Sequence, residues 1–160
     1  MSKRAKKARE PKRGPEWAFV ALVTDGQSID GYGQRCEKCG KPTGEPDDRK
    51  DRFLRLGRLV LKELAKLLDV EHKRMSTTVN QAGPAVSGDV YLLADNDDLL
   101  VHFSHHLPRS DWGDFFVRRG DARLGADRTV WLRWEELRDL PAVAHKIRHV
   151  LSKPTRRFKP

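Results

Sequence analysis

Cysteine is nearly missing from this sequence: among 160 residues only Cys36 and Cys39 carry a thiol. Two thiols cannot build the disulfide framework that staples small secreted domains. Long apolar runs are missing too. The longest uninterrupted one, Trp17 to Val23, falls far short of the roughly 20 residues a bilayer span requires. The charged N-terminus has no apolar stretch of the kind a secretory signal needs. No G-x-S-x-G elbow, P-loop or H-E-x-x-H stands anywhere in the chain, which removes the commonest ready-made catalytic motifs. What remains is 38% apolar and 34% charged. At this length a chain buries about two-thirds of its unfolded surface, enough for a true core. The expectation is one globular domain in the cytoplasm, with no transmembrane segment.

The formal charge of +9 is unevenly placed. Residues 1–13 hold seven Lys/Arg (Lys3, Arg4, Lys6, Lys7, Arg9, Lys12 and Arg13) against the single acid Glu10. Residues 152–160 add Lys153, Arg156, Arg157 and Lys159 with no acid, so the two ends together carry +10. Between them 21 basic residues face 22 acidic ones, a net of −1. The basicity therefore belongs to the ends. Segments with no apolar period and so much like charge are expected to be disordered alone and to seek a polyanion, nucleic acid first and an anionic membrane surface second.

Hydrophobic periodicity divides the middle of the chain. The continuous apolar run Trp17 to Thr24, closed by Asp25-Gly26, reads as a buried strand. Residues 25–50 carry both cysteines in a loop without period. From Asp51 the pattern is helical: Phe53, Leu56, Val60, Leu64, Leu67 and Leu68 recur at three and four, while Arg52, Arg55, Arg58, Lys62 and Lys66 line the opposite face. That basic stripe is a solvated face unless the basic ends lie near it. The helix should end near Asp69-Val70, with a second short helix following to Asn80 and Gly83-Pro84 closing the helical segment 51–82.

Beyond Pro84 the period becomes two. Asp89 to Ala94 and Leu99 to Ser104 flank an acidic turn. Phe115 to Arg119 and Thr129 to Trp134 flank a turn-rich stretch, so residues 86–134 predict two hairpins. Asp139 can cap a final helix over 139–151, with Pro141 in its first turn. The prediction is an α+β domain over 16–151, an antiparallel sheet of four to five strands with two or three packed helices. A basic arm (1–15) precedes it and a basic tail (152–160) follows.

Cys36-Glu37-Lys38-Cys39-Gly40-Lys41 resembles one knuckle of the zinc-ribbon families, whose spacing lets two sulfurs face one ion. Tetrahedral zinc needs four ligands, and His102 with His105 are the candidates to complete a structural zinc site. The alternative is a degenerate knuckle with two free thiols. The cluster His102, His105 and His106 is also where catalysis would be sought, since imidazole titrates near neutrality and acids follow closely.

Leu61 to Asn80 resembles the helix-turn-helix of bacterial DNA-binding regulators. Ala65, Val70 and Met75 fall at the family's small-residue, turn and anchor intervals, although Asp69 stands where the turn normally carries Gly and Thr78 where an apolar residue is usual. The resemblance implies a second helix presenting Lys73, Arg74, Ser76 and Thr77 to a DNA groove. No whole-chain family resemblance accompanies it. The expected function is a nucleic-acid-binding, non-enzymatic module, a small regulator or an accessory subunit of a nucleoprotein complex. The alternatives are a nucleic-acid-processing enzyme built on the histidine cluster, and a protein-binding inhibitor or adaptor.

Overall fold

The computed structural model describes residues 13–27, 29, 38–39, 48–70, 76–80, 89–94, 99–106, 108–119 and 128–152. Within them the chain forms helices α1 (Pro15–Val23) and α2 (Arg49–Leu67), strands β1 (Ser76–Asn80), β2 (Asp89–Ala94), β3 (Leu99–Ser104), β4 (Phe115–Arg119) and β5 (Arg128–Leu132), a 3-10 helix (Trp134–Arg138) and α3 (Leu140–Ser152). The strands make one antiparallel meander in the order β1-β2-β3-β4-β5. The α+β class is the one the periodicity predicts.

Three sequence expectations are corrected here. Trp17 to Thr24 is not a strand: residues 17–23 lie in α1 and Thr24 caps it, and the run carries no period to tell helix from strand because its exposed positions, Ala18 and Ala21, are apolar as well. Phe19, Val20, Leu22 and Val23 are all buried. The decisive local signals are Pro15 at the first helical position and Glu16 in the first turn, whose carboxylate accepts the Gly14 amide at 3.1 Å. The second helix of the supposed helix-turn-helix is also wrong over its final part, since Ser76–Asn80 is β1, paired along its length with β2. The β-branched Thr77, Thr78 and Val79 favour a pleated ladder over a helix, and the partner strand β2 supplies it. Finally, Trp134 opens the 3-10 helix instead of ending a strand.

The remaining elements follow the predicted periods. Helix α2 buries Phe53, Leu54, Val60, Leu61, Leu64 and Ala65, and is capped by Leu68, one residue before Asp69 (φ 55°), the position its Gly-less turn forces into the left-handed region. Gly57 permits the closest approach of α2 to the sheet. A Cβ there would sit 3.3 Å from both Phe19 Cε2 and Val90 Cγ2. Asp139 caps α3 by accepting the Ala142 amide at 3.0 Å. Helix α3 buries Val143, Ala144 and Ile147.

Among the described residues the helices cover one face of the sheet only. Val90, Leu92, Leu99, Val101, Phe103, Phe115, Val117 and Leu132 point into that layer and are buried. At its centre Phe19, Phe103, Phe115 and Trp134 pack ring against ring with centroids 5.0 to 5.5 Å apart. Helix α1 is tied to α2 by Arg49, which donates to the Leu22 carbonyl at 3.2 Å and to Asp25 at 2.7 Å.

His105 belongs to this core. Its Nε2 donates to the Val23 carbonyl at 3.3 Å, and burial holds its pKa below the ordinary 6.5. The unfolded chain therefore binds a proton near pH 6.5 that the folded chain takes up only at lower pH. Stability is full above that pH and falls as pH drops through the folded pKa. Thermal melts at about pH 7.5 and about pH 5.5 should show the loss, and His105→Gln should flatten this part of the profile. A wild-type melting temperature indifferent to pH over this range would contradict the placement.

Candidate nucleic-acid interface

The face of the sheet opposite the helices carries a row of rings. Strand alternation puts Tyr91, His102, Phe116 and Trp131 on this side, and antiparallel register sets them directly opposite one another: Tyr91 pairs with His102, His102 with Phe116, and Phe116 with Trp131. The rings touch in sequence. Tyr91 stacks on His102 at 4.3 Å, His102 meets Phe116 edge-on at 4.9 Å, and Phe116 lies 5.3 Å from Trp131. Tyr91, His102 and Phe116 are half-buried, and Trp131 keeps 42% of its surface in solvent. One row away, Leu93, Leu100, Arg118 and Thr129 share the same face.

Arg118 adds charge to this platform. Its guanidinium carbon lies 5.3 Å from the centre of the Phe116 ring, and its buried Nε has no hydrogen-bond partner among the described residues. A desolvated N–H left unpaired costs about 1–3 kcal/mol, so an acceptor brought by a ligand would relieve it.

The row ends at a rigidly built loop. Arg109 forms a two-pronged pair with Asp114, whose side chain is almost fully buried, and also reaches Glu135 at 2.9 Å. Asp114 accepts the Trp134 amide at 2.9 Å. Hydrogen bonds donated to Asp114 and Glu135 hold the guanidinium charged well above the ordinary arginine range, and Arg109 in turn holds Glu135 below the ordinary carboxylate range. Arg133 donates to the carbonyls of Ser110 and Asp111 at 2.8 and 3.0 Å, which fixes the backbone beneath Trp112. Trp112 is 80% exposed. Gly113 (φ 154°) lets this loop close on β5, for a Cβ would sit 2.8 Å from Trp131 Cβ. A cavity of about 240 Å³ opens here, with Trp131 and His106 among its walls.

The sequence-derived site residues do not gather in one place. His102 faces outward in the ring row, whereas His105 faces the helical layer beside Phe53 and Val23, so the two imidazoles do not converge as ligands. Odd and even positions of a strand leave opposite faces, and His105, one residue past the end of β3, continues the alternation that separates it from His102. Cys39 is an exposed free thiol, and Cys36 lies outside the described residues. Among the described residues no group of three or more His, Cys, Asp or Glu is placed to hold a metal. His106 Nε2 lies 3.0 Å from Ser104 Oγ, a strand-end contact in which no carboxylate among the described residues orients the ring. Ser76 is exposed on β1 and Thr77 follows it in that strand, not on a recognition helix. Lys3, Arg4, Lys6, Lys7, Arg9, Lys12, Lys73, Arg74, Arg156, Arg157 and Lys159 lie outside the described residues. Arg13 is exposed, 4.6 Å over the Trp17 ring.

No family model, curated protein or solved structure matches the chain.

Functional inference thus rests on chemistry alone. Sequence reasoning missed Tyr91, Phe116, Arg118 and Trp131. The available signal was the alternation in β2 to β5, which puts one ring of each strand on the polar side, where a two-layer fold has no core to fill. Among the described residues no helix is long and apolar enough to cross a membrane.

Proposed function

We propose that this chain is a non-enzymatic nucleic-acid-binding module that takes a single strand across the open face of its sheet. One observation carries the reading: four rings from four adjacent strands stand in register on the face that no described helix covers. Bases offer π-faces of every sequence, and stacking on aromatic side chains is how single strands are held without base readout. Arg118, beside Phe116, can stack on a base or pair with a phosphate. The basic ends, at +10, supply the sequence-independent attraction to the backbone. A duplex hides its base faces, so this surface favours unpaired strands.

A titration of the full chain with an unstructured thymidine oligonucleotide of about 16 nucleotides tests the proposal. Tryptophan emission should fall as bases stack on Trp131, and the single strand should bind more tightly than a duplex of equal length. Affinity should drop as salt rises, with a log–log slope of about −0.7 for each phosphate neutralised. Replacing the eleven Lys and Arg of residues 1–13 and 153–159 by Gln should flatten that slope while leaving the melting temperature unchanged. Tighter binding to the duplex with unaltered emission would reject the sheet as the site and favour a protein partner for its apolar face.

A further inference from the structure

Helix α2 turns three cations away from the sheet. Arg55, Arg58 and Lys62 are all exposed, stand three and four residues apart, and line one shallow groove of about 270 Å³ together with Asp51, Leu54 and Leu59. Several cations elsewhere in the fold are neutralised: Arg49 pairs with Asp25, Lys66 with Glu63, Arg109 with Asp114 and Glu135, and Lys146 with Glu136. Arg55, Arg58 and Lys62 make no ion pair among the described residues. Like charges at such spacing on a helix repel one another, so the cluster weakens α2 in the free protein. An anion laid along it would remove that penalty.

We infer that this face of α2 is a second nucleic-acid site, for the phosphodiester backbone, on the opposite side of the molecule from the ring row. The spacing suits such a ligand. Arg55 to Lys62 rises about 10 Å along the helix, the run of about three phosphates at 3.4 Å per nucleotide. Among the described residues the groove offers no aromatic ring for a base, so contact is with the backbone and independent of sequence. Charge elsewhere agrees with this placement. The chain enters the helical layer at Pro15, directly after the basic arm, and leaves it at Ser152, directly before the basic tail. Arg148, one turn before the end of α3, donates to the Leu67 carbonyl at the end of α2. Both basic segments are therefore rooted in the layer that presents the cluster.

The consequence is bridging. Helix α2 packs by its apolar face onto the inner side of the sheet, so its cations and the ring row point in opposite directions. One chain can then hold a single strand on the rings and a second backbone on α2. The α2 site stands on its own cations, and only the bridging rests on the sheet reading.

The test uses the full chain and its variant Arg55→Gln/Arg58→Gln/Lys62→Gln, whose changes are all on the surface. Donor- and acceptor-labelled oligonucleotides, one a thymidine single strand and one a duplex, report bridging by energy transfer. The variant should quench tryptophan emission with the single strand at an affinity within about twofold of wild type. It should bind duplex at least about tenfold more weakly, with a salt slope shallower by about 0.9 per lost contact, and lose energy transfer. Unchanged duplex affinity and slope would overturn the inference. So would loss of binding to phosphatidylserine vesicles in a variant that still captures duplex normally, because the face would then serve a lipid surface. If the single strand leaves emission unaltered while duplex binding still depends on the three cations, the α2 site is supported and the sheet reading fails.

Discussion

Phe116→Ala combined with Trp131→Ala is expected to lower single-strand affinity by about a hundredfold. Each base–aromatic stack is worth about 1–3 kcal/mol, and two adjacent rings of the row would be removed. Phe116 is the pivotal member, because it touches His102 on one side and Trp131 on the other, with Arg118 lying over it. Fluorescence anisotropy with a labelled single strand measures the loss, and thermal melts establish that the double variant is folded. Both rings face away from the buried layer, so the melting temperature should fall far less than for any core substitution. Leu59→Ala, on the exposed face of α2, is the matched control and should leave single-strand affinity unchanged. A loss below about threefold in a folded double variant would remove stacking from the account. Duplex capture by α2 should survive this variant, which separates the two surfaces.

Trp134→Ala should produce the largest loss of stability, about 3–5 kcal/mol. Trp134 is buried where α1, the 3-10 helix and the sheet meet, stacking on Phe115 at 5.2 Å and meeting Phe19 of α1 and Phe103 of β3 edge-on. Removing the indole leaves a cavity lined by rigid rings that cannot collapse into it. A domain of this size loses about 2–4 °C per kcal/mol, so the melting temperature should fall by roughly 10 °C or more. That is a large part of a total stability of about 5–15 kcal/mol. Urea denaturation should show a lower midpoint with an unchanged slope. The conservative Trp134→Phe keeps much of the packing and should recover most of the loss. A shift of only a degree or two for the alanine variant would mean that Trp134 is not the keystone between the sheet and α1.

Much of the architecture was legible because it follows short-range rules. The stripe from Phe53 to Leu64 could only be a helix with one buried side, and the alternation in β2, β3 and β4 could only be half-buried strands. Asp139 announced the start of α3 by its capping chemistry. Two segments misled for opposite reasons. In α1 the exposed positions Ala18 and Ala21 are apolar like the buried ones, so the pattern lost its period. In β1 the helix-turn-helix intervals of Ala65, Val70 and Met75 outweighed the β-branched residues at 77–79, whose preference needs a neighbouring strand to be realised.

The candidate sites divide along the same line. The concentration of +10 at the chain ends and the cationic stripe of α2 are properties of the amino-acid order itself, since charge and helical spacing need no tertiary contact to be defined. Whether that stripe was neutralised depended on which carboxylates the fold brought near it, and those that line up elsewhere went to Arg49, Arg109 and Lys146. The ring row required register: Tyr91, His102, Phe116 and Trp131 are separated by 11, 14 and 15 positions in the chain and meet only because three antiparallel pairings place them opposite one another. The separation of His102 from His105 is also tertiary in its meaning, for alternation sends them to opposite sides but only the helices make one side a core. Local order thus determined the elements and where the charge lies. Tertiary pairing decided which side chains became neighbours, because contact across a sheet depends on register and on which face is covered.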